Sequence, residues 1–302
     1  MIYEFDGHQL DTVRFELRRA GELVAVEPQV FEVLRHLVVH RERVVDKREL
    51  LDEVWGTRFV TESALTSRIK AARRDLSANH LLVHYDERGC GLSDWDPPEV
   101  GFDTWVTDLT TVVDQLGLDR FALLGISQGG AVAAAFAAQH PERVSHLVLY
   151  GAFPEGRIVR ARSELERRDA AMMLDLLETG WARQASTFGE MFAAQFMPEG
   201  TPEQWAAFVE LQERTTSPTN ARRLMEVSSY IDVTELAPTI TVPTLVLHAG
   251  GDRRVPLPQG ELFASLIPGA RLCVLDSPNH ILLDGEPAWA RFLEEVEAFL
   301  AT

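Results

Sequence analysis

The sequence predicts an α/β protein in two parts: a small α+β unit over residues 1–78, and a mainly parallel sheet flanked by helices over residues 79–302. Three observations predict this division. Short alternations of apolar and polar residues open the chain, as antiparallel strands do. From residue 81 onward, continuous apolar runs alternate with stretches of helical periodicity, the pattern of parallel strands joined by helical crossovers. The charge also changes: residues 1–78 hold 13 Lys/Arg and 14 Asp/Glu, whereas the remainder holds 16 and 32 and carries nearly all of the net charge of −17.

A chain of 302 residues, 46% hydrophobic, is long enough for two cores. Its acidity excludes a protein generally coated with nucleic acid, so any contact with a polyanion is expected in the first part. Glu4, Asp6, Asp11, Arg14 and Glu16 interrupt the first twenty residues, and no later run approaches membrane-spanning length. A cytoplasmic protein without a membrane partner is therefore expected. Cys90 and Cys273 cannot form a disulfide framework and lack metal-ligand spacing. No phosphate-binding glycine loop occurs either, so neither metal nor cofactor is expected.

In the first part, the runs within Tyr3–Val26 are broken at Asp6-Gly7 and Ala20-Gly21 and predict a small antiparallel sheet. Pro28 suits a first helical position, and Val30, Phe31, Leu34, Leu37 and Val38 follow at helical spacing. Asp46 with Glu49 forms a capping-box pattern for a second helix that ends at Trp55-Gly56. A third helix starts after Thr61. Leu65, Ile69, Ala72 and Leu76 fall on one side of it, and Ser63, Ser67, Lys70 and Arg74 on the other. That outer face reads equally as an ordinary solvated surface or as a surface that enters the major groove.

In the second part, the apolar run Phe121–Gly125 passes through Gly125-Ile126-Ser127-Gln128-Gly129-Gly130 into an Ala-rich helix ended by His140-Pro141. Strand, tight turn and helix are the setting in which G-x-S-x-G presents a nucleophile, its glycines relieving a crowded turn. A serine hydroxyl needs a histidine base and a carboxylate that orients it. The run Pro243–Ala249 empties into Gly250-Gly251-Asp252, and Arg271–Leu275 empties into Asp276-Ser277-Pro278-Asn279-His280. Ser127, Asp252 and His280 are thus the expected catalytic residues, with the Gln128 backbone N–H as an oxyanion donor. Asp276 is the weaker candidate acid because it shares a loop with His280. His84 and His248 fall within expected strands and read as core residues, and His140 lies at a helix end.

Two resemblances follow from these residues. The succession of sheet, helix, Asp46–Gly56 with its Val-Trp-Gly ending, and a third helix carrying Leu65, Ile69, Arg73 and Arg74 resembles the OmpR/PhoB-type winged-helix domain over residues 1 to about 77. The resemblance implies DNA binding and transcriptional control through residues 61–76, with Glu62 to Arg74 as the recognition helix and Ser63, Thr66, Ser67, Lys70, Arg73 and Arg74 as contacts. The hairpin wing of that family is missing. From Leu81 to the C-terminus, Asp86-Glu87-Arg88-Gly89-Cys90-Gly91-Leu92-Ser93, the Ser127 turn, the Gly-Gly-Asp loop and the Asn-His loop resemble the α/β-hydrolase superfamily. This implies an esterase-like serine hydrolase acting on a small ester-like molecule through an acyl-enzyme, with residues 155–238 as a cap over the site.

Met172, Met173, Leu176, Trp181, Phe188, Met191, Phe192, Phe196, Met197, Trp205 and Phe208 are expected mostly to pack the cap, a few lining a pocket. The family's early strands, including the His-Gly segment that supplies a second oxyanion N–H, are missing. Leu81–Tyr85 is therefore expected to pair directly with Phe121–Gly125, and activity is expected to be weak or lost. A regulator whose hydrolase fold senses a small ligand is the alternative implied by the same pairing.

Overall fold

The computed structural model describes residues 2–5, 8–12, 14, 16–19, 21–24, 31, 35–36, 38–40, 80–181 and 187–302. The chain divides into two compact units, Met1–Thr61 and Glu62–Thr302. In the first, β1 (Ile2–Phe5), β2 (His8–Asp11), β3 (Glu16–Arg19) and β4 (Glu22–Val24) form the expected antiparallel meander. The alternation buries Leu10 and Leu17 on one face, where Phe31 from a helical stretch joins them. The second and third expected helices lie outside the described residues, and with them Ser63, Thr66, Ser67, Lys70, Arg73 and Arg74.

In the second unit, β5 (Phe121–Ile126), β6 (Val144–Tyr150), β7 (Thr244–Ala249) and β8 (Arg271–Leu275) form a parallel sheet in chain order. The period of two sends Leu147, Leu149 and Val246 to one face and Val148, Tyr150, Leu245 and Leu247 to the other. On the first face lie α1 (Phe102–Gln115), α2 (Gln128–Gln139) and α7 (Leu257–Leu266). Helix α1 buries Trp105, Val106, Leu109 and Val113 along one stripe. Ala131 to Ala137 are all buried, so α2 is apolar all round and central. The opposite face is covered by α8 (Pro287–Leu300) through Ala288, Phe292 and Val296. Between β6 and β7 the chain makes the expected helical insertion, α3 (Glu164–Trp181), α4 (Thr187–Phe196), α5 (Pro202–Thr215) and α6 (Pro218–Ser229). A single bridge from Glu155 to Asp232 closes its base.

One expectation is overturned. Leu81–Tyr85 forms no strand, and among the described residues nothing pairs with the free side of β5. Leu81 is 88% exposed, and His84, expected in the core, is exposed as well. The turn that follows explains why. Arg88 holds Asp108 of α1 through two bonds (2.6 and 2.5 Å), Gly91 N–H donates to Thr215 O (2.7 Å), and the Thr216 hydroxyl donates to Gly89 O (2.7 Å). Sliding the segment sideways by one ladder spacing, about 4.8 Å, would break these bonds to gain a single ladder. The edge of β5 stays open, with Ile126 52% exposed.

The turn between β5 and α2 also refines the expected role of its glycines. A Cβ on Gly125 would come within 2.6 Å of Gly129 O and of Gly130 Cα, and one on Gly130 would fall on the Ala152 methyl. A Cβ on Gly129 would meet nothing within 4 Å. Gly125 and Gly130, not Gly129, are the positions that close packing demands. In thermal melts, Gly130→Ala should destabilise by about 1–3 kcal/mol through overpacking. Gly129→Ala should be neutral or stabilise by up to about 1 kcal/mol. Equal melting of the two variants would contradict this account.

Candidate active site

Ser127 is the only non-glycine among the described residues with a positive φ (53°, ψ −124°). Its N–H donates to Tyr150 O (2.9 Å) at the end of β6, and its own carbonyl accepts from Gly130 N–H (3.0 Å). The side chain therefore leaves the sheet at its C-terminal rim, at the N-terminus of α2. There it lines a cavity of about 80 Å³ together with Gln128.

The two other expected residues meet on the same rim. His280 Nδ1 lies 2.6 Å from Asp252 Oδ2, and both side chains are buried. The second carboxylate oxygen, Oδ1, accepts from Arg254 N–H (2.8 Å) and Val255 N–H (2.9 Å). With its lone pairs so filled, Asp252 assigns the proton of a neutral imidazole to Nδ1. Asp276, the alternative acid, is exposed. Gly151, one residue beyond the Tyr150 carbonyl that binds Ser127, faces the imidazole: a Cβ there would come within 3.0 Å of His280 Cε1. Ser127 and His280 are thus brought to neighbouring strand ends.

The His280 loop is tied down on every side. The Tyr150 hydroxyl donates to His280 O (2.9 Å), and Asn279 Oδ1 accepts from Glu199 N–H (3.1 Å) in the cap. Asn279 Nδ2 and the Ser277 hydroxyl both donate to Glu286 Oε2 at the start of α8 (3.2 and 2.9 Å). Ile281 N–H donates to Phe196 O in the cap (3.0 Å), and the Phe196 ring stands edge-on to the imidazole with centroids 5.6 Å apart. His248 is fully buried in β7, where its Nε2–H donates to Val255 O (2.8 Å). Burial pulls its pKa below the ordinary histidine value, as suits a neutral core residue.

Of the apolar cap residues singled out in the sequence, Phe192, Met197 and Phe208 pack the cap itself, with Phe188 and Trp205 against them. Met172 and Met191 are exposed, while Met173 and Phe196 reach the cavity. All three charged residues of the cavity escaped the sequence reading: Arg157, Arg160 and Arg254. Their signal was position, since Arg254 lies two residues past Asp252 and Arg157 follows the end of β6.

Residues 73–287 match the family model described as alpha/beta hydrolase fold. The chain belongs to the α/β-hydrolase family. Residues 21–88 match a second model, the C-terminal domain of transcriptional regulatory proteins. The two ranges overlap at 73–88. The α/β-hydrolase part is 30% identical to 2-hydroxymuconate semialdehyde hydrolase of Pseudomonas putida, over 65% of this chain and 68% of that one. It is 26% identical to pyrrolizixenacetamide deacetylase of Xenorhabdus hominickii, over 69% and 80%. Among solved structures, an esterase of Exiguobacterium antarcticum superposes with a TM-score of 0.60 at 26% identity, covering 72% of this chain and 80% of that one. No helix among the described residues is long and apolar enough to cross a membrane.

Beside this α/β-hydrolase elbow, Gln128 Nε2 donates to Glu87 Oε2 (3.1 Å), and Glu87 Oε1 is buried without a partner. Burial pushes the Glu87 carboxyl up to about 7, with Asp108 adding to the rise and the Gln128 bond opposing it. A carboxyl raised in the folded state keeps its proton there after the unfolded chain has lost it, so stability falls as pH rises from about 4.5 to about 7. Glu87→Gln keeps the acceptor for Gln128 and removes the titration. Chemical denaturation from pH 4.5 to 8 should show the variant losing less stability than wild type, by at most about 1.4 kcal/mol per pH unit. Parallel curves would refute the assignment.

Proposed function

We propose that the chain is a serine hydrolase acting on small ester-like substrates through a covalent acyl-enzyme at Ser127. The observation that carries this reading is the buried His280–Asp252 pair on the strand rim that bears the strained Ser127 turn. In the proposed reaction Ser127 Oγ attacks the acyl carbon while its proton passes to His280 Nε2. The bond to the leaving alcohol breaks, and the imidazolium returns the proton to that oxygen. Water then enters, giving one proton to His280 and its hydroxyl to the acyl carbon. The proton goes back to Ser127 Oγ, and the free acid departs. Asp252 stabilises the imidazolium without taking its proton. The Gln128 N–H, first in α2 and without an intrahelical partner, binds the oxyanion. With the second donor segment missing, turnover is expected to run on the order of 10²–10³ below an enzyme with both.

A fluorophosphonate probe tests this directly. Wild type should label, and Ser127→Ala and His280→Ala should not. Asp252→Asn should slow hydrolysis of 4-nitrophenyl acetate on the order of 10⁴. Wild type that neither labels nor hydrolyses would end the enzyme reading.

The match of residues 21–88 favours a second reading, in which the hydrolase fold senses a small ligand and DNA binding is the output. In mobility shifts on a promoter fragment, Lys70→Ala and Arg74→Ala should each weaken binding and lower its salt slope by about 1. Wild type and variants binding equally poorly would refute the DNA arm.

A further inference from the structure

The serine chemistry leaves unused the most unusual feature of the cavity, its three guanidinium groups. Arg157 and Arg160 enter from the segment after β6, and Arg254 from the Asp252 loop. Among the described residues none of them forms an ion pair with a carboxylate. Arg160 donates to two backbone carbonyls, Glu155 O (3.5 Å) and Arg254 O (3.3 Å). The Arg254 guanidinium meets Met225 Sδ (2.8 Å) and lies over the rings of Phe196 (4.9 Å) and Phe192 (5.5 Å).

Two of the three carboxylates near them are committed elsewhere, and the third, the exposed Asp169, favours the Arg157 charge without forming an ion pair with it. Glu155 is held by Arg162 (2.7 and 2.9 Å) and Gln259 (3.3 Å), and Asp252 by His280 and two amides. Burial, reinforced by the like charges of the neighbouring arginines, pushes Arg254 down to about 9 and Arg160 down to about 10. Half-buried cations without an ion-paired carboxylate carry a desolvation cost. An anion in the cavity removes that cost. Guanidinium forks match a planar carboxylate in geometry. Phe153, Met173, Leu174 and Phe196 supply the apolar wall of the cavity, the Phe153 ring lying against Arg160 (5.8 Å) and the Phe196 ring against Arg254 (4.9 Å).

We propose that the cavity takes an acyl compound bearing a free carboxylate, which Arg157, Arg160 and Arg254 bind while its hydrocarbon body lies on the apolar wall and its scissile carbonyl faces Ser127. That this compound is a substrate rests on Ser127 being the nucleophile; that it binds does not.

Calorimetry on full-length Ser127→Ala with monomethyl adipate and dimethyl adipate separates the two claims. The mono-anion should bind at least about ten-fold more tightly than the neutral diester, and more weakly at 0.5 M than at 0.05 M salt. Arg157→Gln and Arg160→Gln, each confirmed as folded by circular dichroism, should each cancel most of that preference, while Arg160→Lys should keep part of it. Equal affinity for the two esters, no binding of the mono-anion, or a preference untouched by both Gln variants would overturn the proposal. Fluorophosphonate labelling of wild type without an anion preference would overturn the arginine assignment alone. Anion preference without labelling would leave the arginine pocket as a ligand site and overturn its role as a substrate site.

Discussion

Ser127 can occupy φ 53° only because β5 and α2 close on each other over two residues that lack a Cβ, Gly125 and Gly130. A non-glycine residue held in such a region costs on the order of 1–3 kcal/mol and persists only when its surroundings over-determine it. Here they do: the Ser127 amide is bound to the end of β6, its carbonyl to Gly130, and Ala152 fills the space beneath. Because all four strands are parallel, every C-terminal end opens on one rim. The same geometry that turns Ser127 out of the sheet places the Asp252 and His280 loops on that rim, and Gly151, at the end of β6, leaves room for the imidazole.

The second constraint is the burial of the His280–Asp252 pair. A carboxylate with no exposed surface is tolerable only if its oxygens are occupied, and Asp252 has an imidazole and two amides. Those two amides belong to Arg254 and Val255, so the loop that aligns the acid also aims Arg254 into the cavity. Tyr150, Asn279 and Glu286 fix the other partner. The imidazole is thus oriented by the sheet, the cap and α8 together.

What was legible in the sequence was local. The Ser127 turn, the loops after β7 and β8, and the helical insertion announce themselves through glycines, apolar runs and periodicity within a short window. Leu81–Tyr85 was misread because a strand is made by its partner, and the apolar alternation of a segment says nothing about whether a ladder awaits it. Anchors at Asp108, Thr215 and Thr216 decided the matter, and none is adjacent to that segment in sequence. Gly129 was credited with crowding that belongs to Gly130, since only the approach of Ala152 tells them apart. The three cavity arginines stand in no motif. Their convergence depends on the chain returning from β6 and β7 to the same rim, which no local pattern records.

The open side of β5 and the arginine wall bear on the two functional readings together. A remote carboxylate held by guanidinium groups is held alike in the ground and transition states, so such binding tightens the complex without lowering the barrier that follows it. Only donors aimed at the developing oxyanion do that, and the proposed reading assigns Ser127 a single one, the Gln128 N–H. On the proposed reading, the architecture favours tight association and slow turnover. Slow turnover with long occupancy is also what a ligand-responsive regulator requires. Enzyme and sensor are then two rates of one site, and the oxyanion side of Ser127 sets which of them prevails.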